Sequence, residues 1–217
     1  MKLEWDKLGE RLFEVGVDHG VLYPMGTSGA YETGVAWNGL TAFNESPSGA
    51  EANPFYADNT KYLNIISAEE FAFSIEAYTY PEEWEACDGS ASAVEGVSLG
   101  QQTRKPFGFC CRTLVGNDVA GQNLGYKLHL IYNALASPSE RSYSTVNDSP
   151  EAITFSWECT TTPTAVAGYK PTACITIDST KVDATKLAAF EALLYGSESA
   201  EPKLPTPDEV IAFFKEN

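Results

Sequence analysis

Four segments of this chain alternate apolar and polar side chains with a period of two residues, and this pattern limits the possible folds more than any other feature. In the first segment Phe71, Phe73 and Ile75 fall on one face, and Ser74 and Glu76 fall on the other. The same alternation occurs in residues 126–132, 152–159 and 172–178. Successive side chains of a β-strand point to opposite faces, so the pattern predicts half-buried antiparallel strands. The chain is therefore expected to be mainly β.

Weaker strand patterns and one helical turn complete the expected β part. The strand patterns lie in residues 20–24, 34–42 and 101–114. A short helical turn is expected in residues 81–89, which begin with a proline and end with a glycine. Because 217 residues fit one compact domain with an appended arm, we expect a β domain followed by a C-terminal extension.

The first long helix is predicted late in the chain. Leu187, Phe190 and Leu194 fall on one helical stripe. Asp183 precedes them as a favoured N-cap residue, and Gly196 follows as a favoured residue just after a helix end. This helix is expected to flank the sheet.

A second helix is predicted at the C-terminus. Thr206 and Glu209 have the spacing of a capping box, in which each side chain bonds the other residue's backbone N–H. Phe213 and Phe214 follow, and their rings must be buried on the same chain or on a neighbour. We therefore divide the chain into a β domain with a flanking helix, residues 1–196, and a linker with a C-terminal helical arm, residues 197–217.

A long connection is predicted between two of the strand patterns. Residues 44–59 are rich in Pro, Gly, Asn and Ser, yet they hold the aromatic pair Phe55 and Tyr56. Loops of this length in compact domains are usually functional or disordered. The aromatic pair favours a contact with another molecule.

The charge of the chain limits its partners. The formal net charge is -16, with 30 acidic against 14 basic residues, so the surface repels phosphate backbones and tight nucleic-acid binding is not expected. The first ten residues lack the apolar stretch of a signal peptide, and no apolar run is long enough to span a bilayer. Five cysteines without a C-x-x-C motif argue against a disulfide framework. We expect a protein made in a cytoplasm.

The residue types of enzyme sites are sparse. The two histidines, His19 and His129, are not set at metal-ligand spacing, and no hydrolase, metalloprotease or nucleotide-binding motif occurs. Cys110 and Cys111 are adjacent, so on a strand one is expected to face inward and the other outward. A cysteine nucleophile assisted by a histidine stays an alternative, but the chain is not expected to be an enzyme or to hold a metal or cofactor.

A small basic cluster stands out in this acidic chain. Arg104, Lys105 and Arg112 lie close together, and on an extended strand Arg104 and Arg112 would share a face. Arginine suits ion pairs at interfaces, because its planar guanidinium binds a carboxylate through two hydrogen bonds. We therefore expect these residues to pair with acidic residues of another copy of the chain.

Several segments carry a resemblance to a known family. They include "VDHGVLYP", "IEAYTYPEEWEACDGS", "GQQTRKPFGFCCRTLVGND" and "ITIDSTKVDA", and together with the segments between them they cover nearly all of the chain up to Gly196. In extent and order they resemble the major tail protein, or tail tube protein, of long-tailed bacteriophages and prophages of Gram-positive bacteria.

The resemblance implies a fold, an assembly and a location. It implies an antiparallel β-sandwich with a flanking helix, the phage tail-tube fold, whose inner strands form a shared barrel in a hexameric ring. Rings would stack into a tube that DNA crosses during ejection without specific binding. The implied partners are other copies of the chain and the tape-measure, tail-tip and tail-terminator proteins, and the implied location is the virion tail, assembled in the host cytoplasm. Residues 44–59 would reach the adjacent ring.

Specific residues follow as candidates. Acidic side chains on the polar faces of strands, Glu70, Glu76 and Glu158, are candidates for the channel wall, where they would keep DNA from adhering. The inter-subunit candidates are Arg104, Lys105, Arg112, Phe55, Tyr56, Phe213 and Phe214.

The alternative hypothesis is a carbohydrate-binding β-sandwich module. Trp37 and Trp84 are its candidate stacking platforms, whereas the alternation around Trp157 places that ring in the core. The acidic turn at residues 116–118 offers oxygen ligands for calcium, although a complete calcium loop is absent.

Overall fold

A computed structural model describes residues 2–146, 148 and 151–215, and within them strands greatly outnumber helices. The strands are β1 (Leu12–Pro24), β2 (Val35–Trp37), β3 (Leu40–Glu45), β4 (Ser48–Gly49), β5 (Ala52–Ala57), β6 (Thr60–Ile66), β7 (Glu69–Glu70), β8 (Ala72–Ala77), β9 (Ala91–Val94), β10 (Val97–Leu99), β11 (Phe107–Asn117), β12 (Gly121–Ala136), β13 (Phe155–Thr161) and β14 (Cys174–Asp178). The helices are α1 (Trp84–Asp88), α2 (Ala184–Tyr195) and α3 (Pro207–Lys215).

Eight of these strands form one large antiparallel sheet. Its order is β2-β1-β11-β12-β13-β8-β3, and β14 pairs with β12 beside this path. The four segments with the clearest alternation contribute β8, β12, β13 and β14, so the expectation of a mainly β, antiparallel protein is confirmed. Among the described strands, β2, β3 and β14 each pair with one neighbour, which leaves three open edges.

The large sheet curls around a first hydrophobic cluster. Phe73 on β8 and Phe109 on β11 stack with their ring centroids 6.4 Å apart, although β12 and β13 lie between these strands in the sheet order. Leu22 on β1 and Trp157 on β13 belong to the same buried cluster. Two parts of one continuous sheet therefore face each other across this core, in place of two separate sheets.

A second cluster lies on the outer face of the sheet, under the helices. Leu128 and Leu130 on β12 pack there with Phe190 and Leu194 on α2. The N-cap of α2 is as expected, because the Asp183 side chain accepts hydrogen bonds from the backbone N–H groups of the first turn, at 2.9 and 3.0 Å. The flanking helix is thus held both by its cap and by its apolar stripe.

The adjacent cysteines lie in the two different clusters. Cys111 points into the first cluster and Cys110 into the second, and both are fully buried. As expected, the two side chains point to opposite faces of the sheet. The outward-facing Cys110 is also buried, because residues of α2 and α3 cover that face.

One residue marks the place where β12 changes its neighbour. Residues 127–131 of β12 pair with β14, and residues 134–136 pair with β13 on the same edge. Asn133 lies between these two pairings with a φ of 47°, in the left-handed region. Its backbone N–H, freed from the ladder, donates to the hydroxyl of Tyr31 at 2.8 Å. At this irregularity the neighbour of β12 on that edge changes from β14 to β13, while β11 stays paired on the other edge.

The C-terminal helix docks on its own chain. The capping box forms as predicted, since the Thr206 N–H donates to the Glu209 carboxylate at 2.7 Å and the Glu209 N–H donates to Thr206 Oγ1 at 3.3 Å. Phe213 and Phe214 lie 5.3 and 5.2 Å from Phe190 of α2, measured between ring centroids. Both rings are therefore half-buried in the second cluster.

Candidate assembly surfaces

The segment predicted as a loop, residues 44–59, instead enters a long β-hairpin. Strands β5 and β6 pair from Ala52↔Ile66 to Ala57↔Thr60, and the turn between them consists of two residues. Asp58 and Asn59 occupy this turn with φ values of 50° and 64°, as a type I′ turn requires. We call residues 52–66 the long hairpin.

The long hairpin is apolar yet exposed along its whole length. Phe55 lies opposite Leu63, and Ile65 follows on the same face, which makes a stripe of three apolar side chains. Phe55 is 51% exposed and Ile65 is 53% exposed. Tyr62, which precedes Leu63 on β6, is 73% exposed. A two-stranded hairpin without a covering layer is marginally stable in water, so these side chains form a surface suited to a partner.

A second, shorter hairpin has the same character. Strands β9 and β10 form a two-stranded sheet, in which Val94 pairs with Val97 across the turn at Glu95 and Gly96. Val94 is 64% exposed and Val97 is 49% exposed. We call residues 91–99 the short hairpin.

The two hairpins are attached to opposite ends of β8. The long hairpin precedes Ala72, the first residue of β8, whereas α1 and the short hairpin follow Ala77, its last residue. Trp84 and Cys87 of α1 are buried in the first cluster, which ties α1 to the sheet. Along the chain, one exposed apolar hairpin therefore precedes β8 and another follows it.

The three acidic candidates for a channel wall fall into two places. Glu76 pairs with Ser156 and Glu158 pairs with Ser74 between β8 and β13, so both carboxylates lie on the face opposite the buried Ile75 and Trp157. Glu70 instead lies on β7, which pairs with β4 outside the large sheet.

The basic cluster does not share one strand face. Arg104 lies before the start of β11 and is not part of a strand. The next residue, Lys105, donates its backbone N–H to the Ala86 carbonyl of α1, so this segment is bonded to the helix and not to a neighbouring strand. The expectation of a common face with Arg112 was therefore wrong. Lys105 is exposed, and no ion pair of its side chain occurs among the described residues.

Both arginines contact acidic residues of their own chain. Arg112 donates two hydrogen bonds to Asp18, and its guanidinium lies 5.0 Å from the ring centroid of Tyr126. Arg104 lies 3.7 Å from the carboxylate of Asp88. Their role between subunits stays a prediction, as does that of Phe213 and Phe214, whose rings are packed on α2.

Cys111 on β11 and His129 on β12 are register partners, whereas Cys110 points into the second cluster. Burial raises the pKa of Cys110 to about 12, and burial also raises the pKa of Cys111 well above its ordinary value, so both thiols stay protonated at neutral pH. His129 is half-buried beside Thr113 and Glu45, and burial lowers its pKa. His19 lies inside β1, and its Nδ1 lies 3.0 Å from the Asp18 carboxylate.

The residues named for carbohydrate or calcium binding are structural. Trp37 and Trp84 are both buried, with ring centroids 4.7 Å apart, so neither is available as a stacking platform. Trp157 is in the core as predicted. Asn117 caps the turn after β11 through the N–H groups of Val119 and Ala120, which occupies its oxygen. No group of three or more potential metal ligands occurs in the described part of the chain.

Comparison with known protein families gives no match for this chain, and no curated protein matches it. Within the ranges that the structure describes, no helix has the length and apolar character needed to cross a membrane.

Proposed function

We propose that this chain is a structural virion protein that assembles into stacked hexameric rings and so forms the tail tube of a long-tailed phage. The observation that carries the proposal is the pair of exposed apolar hairpins attached at opposite ends of β8. A monomeric protein rarely leaves such surfaces uncovered. A subunit of a stacked assembly needs one contact surface toward each neighbouring ring.

The open edges of the large sheet support a shared barrel. β2, β3 and β14 each have a free side among the described strands. Exposed edges invite further strands, and closure of the sheets of several subunits into a barrel removes such edges. In this proposal the tail-tube fold and the hexameric ring follow from sheet pairing between subunits, and the long hairpin reaches the adjacent ring.

The polar face of β8 and β13 is the proposed wall of the channel. Glu76 and Glu158 would place negative charge on that wall, which repels DNA phosphates at short range and prevents adhesion. DNA would pass without specific binding, and the protein would act in the virion tail after assembly in the host cytoplasm. The proposed partners are other copies, together with tape-measure, tail-tip and tail-terminator proteins.

The test is assembly of the purified protein, followed by light scattering and negative-stain electron microscopy. Hollow rings or tubes with six subunits per ring are expected, either spontaneously or after addition of a tail-tip complex. Tyr62→Asp is expected to prevent stacking. Tyr169→Asp is the matched control, because Tyr169 is similarly exposed, at 65% against 73%, but lies outside both hairpins. A protein that stays monomeric under both conditions would refute the proposal.

A further inference from the structure

We infer that Asn38 is a site of spontaneous deamidation, at which the side-chain amide is converted to aspartate or isoaspartate. Asn38 and Gly39 form the short connection between β2 and β3. The reaction needs only water, so it does not depend on the proposed function. It adds a covalent modification to a place where the curled sheet is joined to itself.

Gly39 is suited to the attacking role in this reaction. It makes Asn38 the only asparagine of the chain that precedes a glycine. Because glycine has no Cβ, its backbone nitrogen can approach the preceding side chain closely. Gly39 has a φ of 75°, and its N–H has no hydrogen-bond partner within the described residues. The nitrogen is therefore not held in a ladder or a turn.

The amide of Asn38 is equally accessible. The residue is exposed and lines a cavity of about 460 Å³ together with His19 and Tyr195, so water reaches the side chain. In the part of the chain that the structure describes, this amide forms no hydrogen bond. It is therefore free to rotate toward the backbone of Gly39.

A second pair of the same kind shows the restraints that Asn38 lacks. Asp88 also precedes a glycine, but its side chain is only 13% exposed and lies 3.7 Å from the guanidinium of Arg104. The backbone N–H of Gly89 donates to the Glu85 carbonyl at the end of α1. There the carboxylate is paired and the nitrogen is bonded, so rearrangement is expected at Asn38 and not at Asp88.

The reaction balances without an oxidant or a cofactor. The backbone nitrogen of Gly39 loses its proton and attacks Cγ of Asn38, which forms a C–N bond and closes a succinimide ring. The bond from Cγ to the amide nitrogen breaks, and ammonia leaves with the proton. Water then opens the ring at either carbonyl. One opening gives aspartate, and the other gives isoaspartate, whose main chain runs through the former side-chain carbon.

The position of Asn38 makes the isoaspartate product consequential. β2 and β3 are the two ends of the sheet order, and only Asn38 and Gly39 join them. On one side Trp37 is 3% exposed and its indole N–H donates to the Thr79 carbonyl at 2.9 Å. On the other side the Gly39 carbonyl accepts from the Tyr78 N–H at 2.9 Å. An additional main-chain carbon between these fixed points must strain the junction.

Peptide mapping by mass spectrometry tests the modification on the full-length protein, incubated at mildly alkaline pH. The Asn38 peptide is expected to gain the mass of an amide-to-acid conversion and to separate into two products. Asn64 is the matched control, because it is also exposed but precedes Ile65, whose branched side chain shields the backbone nitrogen. Conversion of Asn38 should be several-fold faster. Equal rates, or an intact Asn38 in native protein whose released peptide reacts, would overturn the inference.

Thermal unfolding tests the strain at the junction. Aged wild-type protein is compared with fresh wild type and with Asn38→Asp, which has the new charge without the additional main-chain carbon. Aged protein is expected to unfold at a lower temperature than both. Asn38→Gln keeps an amide but forms the cyclic intermediate far more slowly, so its unfolding should not change with age. Aged wild type that unfolds like Asn38→Asp would overturn the assignment of isoaspartate to this junction.

Discussion

Arg112 and Asp18 form a bidentate ion pair, in which Nε donates to Oδ1 at 2.7 Å and the second guanidinium nitrogen donates to Oδ2 at 2.8 Å. The pair joins β11 to β1 at a place where the register between them shifts on both sides of Asp18. His19, the next residue, has a φ of 51°. The ion pair therefore fastens an irregular stretch of β1 to its neighbour.

Replacement of Arg112 by Ala is expected to lower the free energy of unfolding by about 1 kcal/mol, a modest value because Asp18 is partly exposed and the pair is screened by solvent. The hydrogen bond from Arg112 lowers the pKa of Asp18 below its ordinary value of 3.8. This contribution is complete above that value and is lost as the pH falls through the lowered pKa. Urea unfolding of both proteins at neutral and strongly acidic pH measures the difference.

The effect of Arg112→Ala should therefore shrink at acidic pH. Lys181→Ala serves as a control, since Lys181 is 79% exposed in its pair with Asp178 and its loss should change stability little. Equal effects of Arg112→Ala at both pH values would contradict the assignment.

Trp84 is expected to act through its packing alone. It is fully buried, and its indole N–H has no hydrogen-bond partner among the described residues. Trp84→Ala should cost about 3–5 kcal/mol, because it leaves a large cavity in the first cluster. Trp84→Phe should cost clearly less, since it keeps an aromatic ring and removes no hydrogen bond. Thermal and urea unfolding of the two variants would refute this account if Phe were as damaging as Ala.

The capping box of α3 predicts that Thr206 and Glu209 contribute to stability as a coupled pair. Thr206→Ala should destabilise the docked helix by about 1 kcal/mol, because it removes the acceptor of the Glu209 N–H. The Thr206 backbone N–H is the main cause that lowers the pKa of Glu209, so the contribution of that carboxylate is present above its ordinary value of 4.5 and fades as the pH falls through the lowered pKa. A double-mutant cycle of Thr206→Ala with Glu209→Ala, followed by urea unfolding, should give non-additive effects. Strict additivity would mean that the two residues do not act together.

The proposed channel wall predicts a change in DNA transport. Glu76→Lys combined with Glu158→Lys should leave tubes intact, because both side chains lie on a polar face, but should slow DNA ejection through new phosphate contacts. Glu10→Lys combined with Glu198→Lys makes the same change in net charge at exposed residues outside the large sheet. Ejection kinetics from reconstituted particles compare the two. Equal rates would remove Glu76 and Glu158 from the channel wall.

The sequence was sufficient to predict strands whose two faces differ in burial and helices whose first turn is capped by a nearby side chain. β8 and β13 each have one buried face, and the opposite face is half-buried on β8 and largely exposed on β13, so the sequence alternates visibly in both. The ends of α2 and α3 were predicted from local hydrogen bonds of Asp183 and Thr206, which depend on few neighbours.

The missed features depend on contacts that are distant in sequence, or on the absence of contacts. The long hairpin is exposed on both faces, so no alternation marked it, and only the Asp58-Asn59 pair indicated its turn. Val94 and Val97 were missed for the same reason, with Glu95-Gly96 as the only signal. The burial of Trp37 and Trp84 follows from their mutual packing between separate elements, which no spacing of residues records.

Asn133, with its left-handed conformation, separates two parts of β12 that have different neighbours. On one side of this residue β12 supports the helices, and on the other side it holds the strands that carry Glu76 and Glu158. β11 pairs with β12 on both sides of Asn133, so only one edge of β12 changes its neighbour there. A substitution that disturbs Asn133 would therefore affect the support of the helices and the position of the acidic strands together.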